Sequence, residues 1–84
     1  MNIPELHDIE NTDFVDEMTY GDCAAYLFEK LNICDLSIIP VRTAKFRLEA
    51  VMHDGDTFTR DGDTAVEAMR KLTKKCIDHY LLIN

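Results

Sequence analysis

From Phe46 to Met52 every second residue is apolar, and this alternation constrains the chain more than any other feature. Phe46, Leu48, Ala50 and Met52 interleave with Arg47 and Glu49, the period-two pattern of a strand buried on one face. The turn that follows sets the register. A two-residue turn at Asp54-Gly55 would pair Val51 with Phe58 and turn the ring away from the apolar face. A three-residue loop, His53-Asp54-Gly55, with Gly55 left-handed, pairs Ala50 with Phe58 instead. That register predicts Phe58 on the same face as Phe46, Leu48 and Met52. After a turn at Asp61-Gly62, Thr64-x-x-Glu67 is a capping box opening a helix. Ala65, Met69, Leu72, Cys76 and Tyr80 line one side of it, and Arg70, Lys71, Lys74 and Lys75 form a solvated side.

The residues before this unit complete one small domain. Thr19 is positioned as the N-cap of a helix over 20–31, with Asp22 as its box partner, and Tyr20, Cys23, Ala24, Leu27 and Leu31 on one face. Asn32 suits a left-handed end to that helix. Leu36-Ser37-Ile38-Ile39-Pro40-Val41 is β-rich, and Pro40 lacks a ladder donor, so this strand belongs at an edge or carries a bulge. A turn at Thr43-Ala44 joins it to the alternating strand. Residues 1–18 fit no single period; a short helix after Pro4 and a further helical turn from Thr12 are expected. The expected fold class is α+β, a single small domain of helix, three-stranded antiparallel sheet and helix. It comprises an acidic segment over 1–18 and an α-β-β-β-α domain over 19–84. The helices could share one sheet face or take one each.

Composition narrows the function classes. At 84 residues and 46% hydrophobic, the chain supports one modest core. No run approaches a membrane span, and Met1-Asn2-Ile3-Pro4-Glu5 has no signal-peptide character, so a cytoplasmic protein is expected. Cys23, Cys34 and Cys76 are odd in number and sit among apolar neighbours, so all three are expected as buried thiols. Net charge is −7, unevenly placed: residues 1–35 carry −8 and residues 36–84 carry +1. Such segregation bears on partner choice rather than on fold.

Catalytic and metal signatures fail in turn. Asp-Gly-Asp-Thr occurs at 54–57 and 61–64, but the oxygen alternation of a calcium loop ends at Phe58 and Ala65. Turn chemistry accounts for both copies. His7, His53 and His79 have no zinc spacing with the cysteines. Ser37, the one serine, has no elbow glycines. His53 beside Asp54 belongs at a solvated hairpin tip, and Gly21, Gly55 and Gly62 form no phosphate-cradling loop. Neither catalytic residues nor a metal site nor a cofactor is expected.

Gly62-Asp63-Thr64-Ala65-Val66-Glu67-Ala68, behind an alternating strand, resembles the N-terminal part of HicB-type antitoxins. Their Pro-Asp-x-Pro-Gly-Cys segment is replaced by His53-Asp54-Gly55-Asp56-Thr57-Phe58. That resemblance implies an antitoxin binding a small basic toxin. The α-β-β-β-α order is also similar to double-stranded-RNA-binding domains, which implies a nucleic-acid module. Those domains place lysines where the last helix begins, and here stand Asp61, Asp63 and Glu67. The layout looks like that of small phage proteins with a sheet between helices as well.

These readings lead to the expectation of a non-enzymatic phage or mobile-element protein that inhibits a host complex, of anti-CRISPR or other anti-defence type. Asp8, Glu10, Asp13, Asp16, Glu17 and Asp22 would face a basic surface on a host protein or protein–nucleic-acid complex, in imitation of nucleic-acid charge. Direct nucleic-acid binding is disfavoured by the acidic balance, no membrane partner is expected, and a homodimer is compatible with the small core.

Overall fold

The computed structural model of the protein describes residues 3–42 and 45–83, and the turn expected at Thr43-Ala44 lies outside them. Two 3-10 turns, Leu6–Asp8 and Asp13–Glu17, precede helix α1 (Tyr20–Glu29). Strands β1 (Asp35–Ile39), β2 (Phe46–Val51) and β3 (Thr57–Gly62) follow, then helix α2 (Ala65–Ile83). The strands form one antiparallel sheet in the order β1-β2-β3, which makes β1 the expected edge strand.

Local chemistry accounts for the element ends. Thr19 Oγ1 accepts the Asp22 N–H at 3.1 Å while Asp22 Oδ2 accepts the Thr19 N–H at 3.2 Å, closing the first capping box. Asn32 ends that region left-handed at φ 53°. At α2, Thr64 Oγ1 accepts the Glu67 N–H at 3.1 Å, and the Glu67 carboxylate reaches back one residue further than expected, to the Asp63 N–H at 3.2 Å.

The hairpin adopts the three-residue loop. Ala50 pairs with Phe58, Met52 N–H donates to Asp56 O at 2.7 Å, and Gly55 takes φ 96°. Leu48, Ala50 and Met52 are buried, and Phe58 is half-buried beside them. Phe46, expected on this covered face, is 43% exposed. Its cross-strand partner is Gly62, which has no side chain to cover the ring. Asp61 and Gly62, expected as a turn, are the last residues of β3, paired with Arg47 and Phe46.

Helix α2 lies across β2 and β3, and α1 packs against α2. This settles the arrangement that periodicity left open. Because α2 lies over β2 and β3 rather than over β1, Ile38 is 64% exposed although it shares a sheet face with its partner Leu48, which is fully buried. The outer sheet face carries a bidentate pair, with Arg47 Nε and Nη2 donating to Asp61 at 2.7 and 2.9 Å. These bonds hold the Asp61 carboxyl below its usual range.

The core joins Val15 and Met18 of the N-terminal segment to Cys23, Tyr26 and Leu27 of α1 and to Met69, Leu72, Cys76 and Ile77 of α2. Thr73 is buried within it and donates its hydroxyl to Met69 O at 2.8 Å, a helical back-bond that satisfies the group. Among the described residues the buried Tyr26 hydroxyl has no hydrogen-bond partner, and burial pushes its pKa up.

Candidate functional site: an acidic segment held against a basic helix face

The second 3-10 turn is anchored by its apolar residues. Val15 is fully buried, and Phe14 meets Tyr26 edge-on at 6.1 Å between ring centroids. Burying these two residues leaves Asp13, Asp16 and Glu17 on the exposed side. Helix α2 then grips the segment with its cations. Arg70 donates from Nε and Nη2 to Met18 O at 2.9 and 2.8 Å, and Lys74 Nζ meets Asp16 Oδ1 at 2.8 Å.

All six acids expected to meet a partner are exposed, but they do different work. Asp16 is engaged by Lys74, and Asp22 caps α1. Asp8 lies 3.5 Å from His7 Nε2, both well exposed. Among the described residues Glu10, Asp13 and Glu17 have no cationic partner. Of the six, these three carboxylates, with Asp8 beside them in sequence, are the least engaged within the fold.

The basic side of α2 is busier than a solvated face. Lys71 pairs with Glu67 at 3.0 Å, and Lys75 Nζ stands 5.0 Å above the Phe58 ring, a cation–π contact. Arg60 of β3 joins Lys71, Lys74, Lys75 and Asp78 around an open groove between β3 and α2. Two of its four cations are already paired with Glu67 and Asp16, which lowers its pull on a polyanion.

The hairpin tip gathers groups that lie far apart in sequence. His79 Nε2 sits 3.0 Å from Asp54 Oδ2 and 3.2 Å from Asp56 Oδ2. These three side chains could hold a metal ion, a grouping that no sequence spacing announces because His79 arrives from α2. Cys34 Sγ lies 3.9 Å from His53 Nδ1, at the outer limit of a sulfur hydrogen bond. No third side chain among the described residues orients that imidazole, as a nucleophile–base pair requires.

Cys34 is exposed, contrary to expectation, because it precedes edge strand β1 and no element covers it. Cys23 and Cys76 are fully buried, and burial pushes the Cys76 thiol up to about 12. One thiol should therefore react with iodoacetamide in the native protein and three in denaturant. Peptide mapping should place the native adduct on Cys34, and early modification of Cys76 would contradict the packing of α2.

Among the described residues no helix is long and apolar enough to cross a membrane. Comparison with protein-family models, curated proteins and solved structures gives no match.

Proposed function

We propose that the chain is a non-enzymatic binding protein whose acidic N-terminal segment occupies a basic surface on a host protein or protein–nucleic-acid complex. The supporting observation is that Glu10, Asp13 and Glu17 are exposed and, among the described residues, have no cationic partner, on a segment held to the fold by Arg70 and Lys74. A segment of this kind presents its charge at low ordering cost when a partner binds. Inhibition of a host defence complex by a phage or mobile element, as anti-CRISPR proteins do, is the concrete form of this reading. The −8 carried by residues 1–35 suits a groove built for nucleic acid.

The antitoxin alternative rests on the string from Gly62 to Ala68. A Cβ on Gly62 would come within 3.0 Å of Ala68 Cα, so the close approach of β3 to α2 requires glycine at 62, while Thr64 and Glu67 serve the start of α2. Close packing and helix capping are reasons for Gly62, Thr64 and Glu67 that do not involve a toxin. A nucleic-acid module would have to use the groove at Arg60, Lys71, Lys74 and Lys75, where half the cations are paired internally.

The test is affinity capture from nuclease-treated host lysate, comparing the wild type with a variant carrying Asp8→Asn, Glu10→Gln, Asp13→Asn and Glu17→Gln. Asp16 and Asp22 are left intact to preserve the fold. Four exposed charges at about 0.5 kcal/mol each sum to roughly 2 kcal/mol, or about thirtyfold in affinity. A captured partner should be basic, released by duplex DNA, and lost in the variant. Equal retention by both proteins would refute the reading.

A further inference from the structure

We propose that Asp54, Asp56 and His79 form a binding site for a divalent transition-metal ion of the zinc class, clasping the β2–β3 hairpin tip to the C-terminal half of α2. The donors come from two distant elements. Gly55, at φ 96°, turns the tip so that Asp54 and Asp56 on either side of it both reach His79.

Spacing fits an ion. Metal–ligand bonds of about 2.0–2.1 Å place neighbouring donors roughly 2.9 Å apart at a right angle and roughly 3.4 Å apart at the tetrahedral angle. The two observed separations from His79 Nε2, 3.0 and 3.2 Å, fall between these limits. All three donor atoms lie within 4.8 Å of one another.

The donors are also held in place. The His79 side chain is only 11% exposed, and its ring meets Phe58 edge-on at 4.9 Å and 62°, which fixes the direction of Nε2. Asp54 Oδ1 accepts the Asp56 N–H at 3.0 Å, leaving Oδ2 to face the imidazole. Ring packing on His79 and the Asp56 N–H on Asp54 thus orient two of the three donors, the role that outer-shell contacts play at metal sites.

Donor chemistry selects the ion. One imidazole nitrogen with two carboxylate oxygens suits zinc or its first-row neighbours, whereas calcium and magnesium favour oxygen alone. The imidazole separates this cluster from an ordinary acidic loop. Three protein donors leave coordination positions to water. Such a clasp would stabilise a domain whose small core benefits from a staple.

Calorimetric titration of the full chain with zinc chloride tests the site, with calcium chloride as the second arm. One zinc per chain is expected, with calcium binding much weaker. Asp56→Asn, which leaves the Asp54–His79 contact in place, and His79→Gln should each weaken zinc by at least about tenfold. Circular dichroism would establish that both variants remain folded. Cys34→Ser should bind zinc as the wild type does. The site is disproved by an absence of saturable zinc uptake, or by zinc binding that His79→Gln leaves unchanged. Loss in Cys34→Ser, or equal calcium binding, would likewise overturn it.

Discussion

Gly62→Ala is expected to destabilise the protein by about 3 kcal/mol, the upper end of overpacking costs. Gly62 is buried at the end of β3, opposite Phe46, where the sheet meets the first turn of α2. An added Cβ would run into the backbone nitrogen of Ala68 and lie 3.0 Å from both Ala68 Cα and the Glu67 carbonyl carbon. Those atoms belong to a hydrogen-bonded helix turn and cannot rotate aside as a side chain would. Among the described residues the only glycine with positive φ is Gly55, so the penalty at Gly62 is steric rather than conformational. In a domain this size the melting temperature should fall by roughly 15 °C. Urea unfolding followed by circular dichroism would measure the effect. A loss below about 1 kcal/mol would mean that α2 can back away from the sheet at little cost.

Arg70→Ala should cost about 2 kcal/mol, within the range for hydrogen bonds made by a charged donor. The guanidinium makes two bonds to Met18 O, and the side chain is half-buried, so packing is lost with the charge. The effect should be local as well as global. Met18 closes the acidic segment onto the core, and without Arg70 the amides of residues 12–18 should exchange hydrogen faster than those of β2. Arg70→Lys should recover only part of the stability, because an ammonium cannot present two fixed donors to one carbonyl. Uniform exchange across the variant would show that Val15 and Phe14 hold the segment unaided. Under the proposed function, Arg70→Ala should also weaken partner capture although every acidic residue remains.

The capping box of α1, the Thr64 cap of α2, the left-handed Asn32 and the Gly55 loop were legible because each depends on residues within a few positions of one another. The Ala50–Phe58 register was legible for a related reason: of the two-residue turn and the three-residue loop, only the latter puts the ring on the apolar face. Expectation failed where the deciding neighbour was distant. Cys34 looked apolar in its local context, yet exposure depends on what covers it, and β1 lies at the edge. Phe46 matched the alternation perfectly, but its partner across the sheet is a glycine. Arg70 and Lys74 read as a solvated helix face, whereas the chain returns Met18 and Asp16 to meet them.

The candidate surfaces divide in the same way. The accumulation of acid before residue 36 is a property of composition and needs no structure to be seen. Which carboxylates are available is a tertiary matter, since Lys74 takes Asp16 and the α1 cap takes Asp22. The meeting of His79 with Asp54 and Asp56 lay beyond any local pattern. The sequence by itself determined the elements, their caps and the hairpin register, because these are set by short-range backbone chemistry and by the period of apolar residues. Tertiary structure alone decided that α2 would cover β2 and β3, grip the acidic segment and bring His79 to the hairpin tip. Those contacts depend on how buried faces pack across the whole chain, which local spacing does not encode.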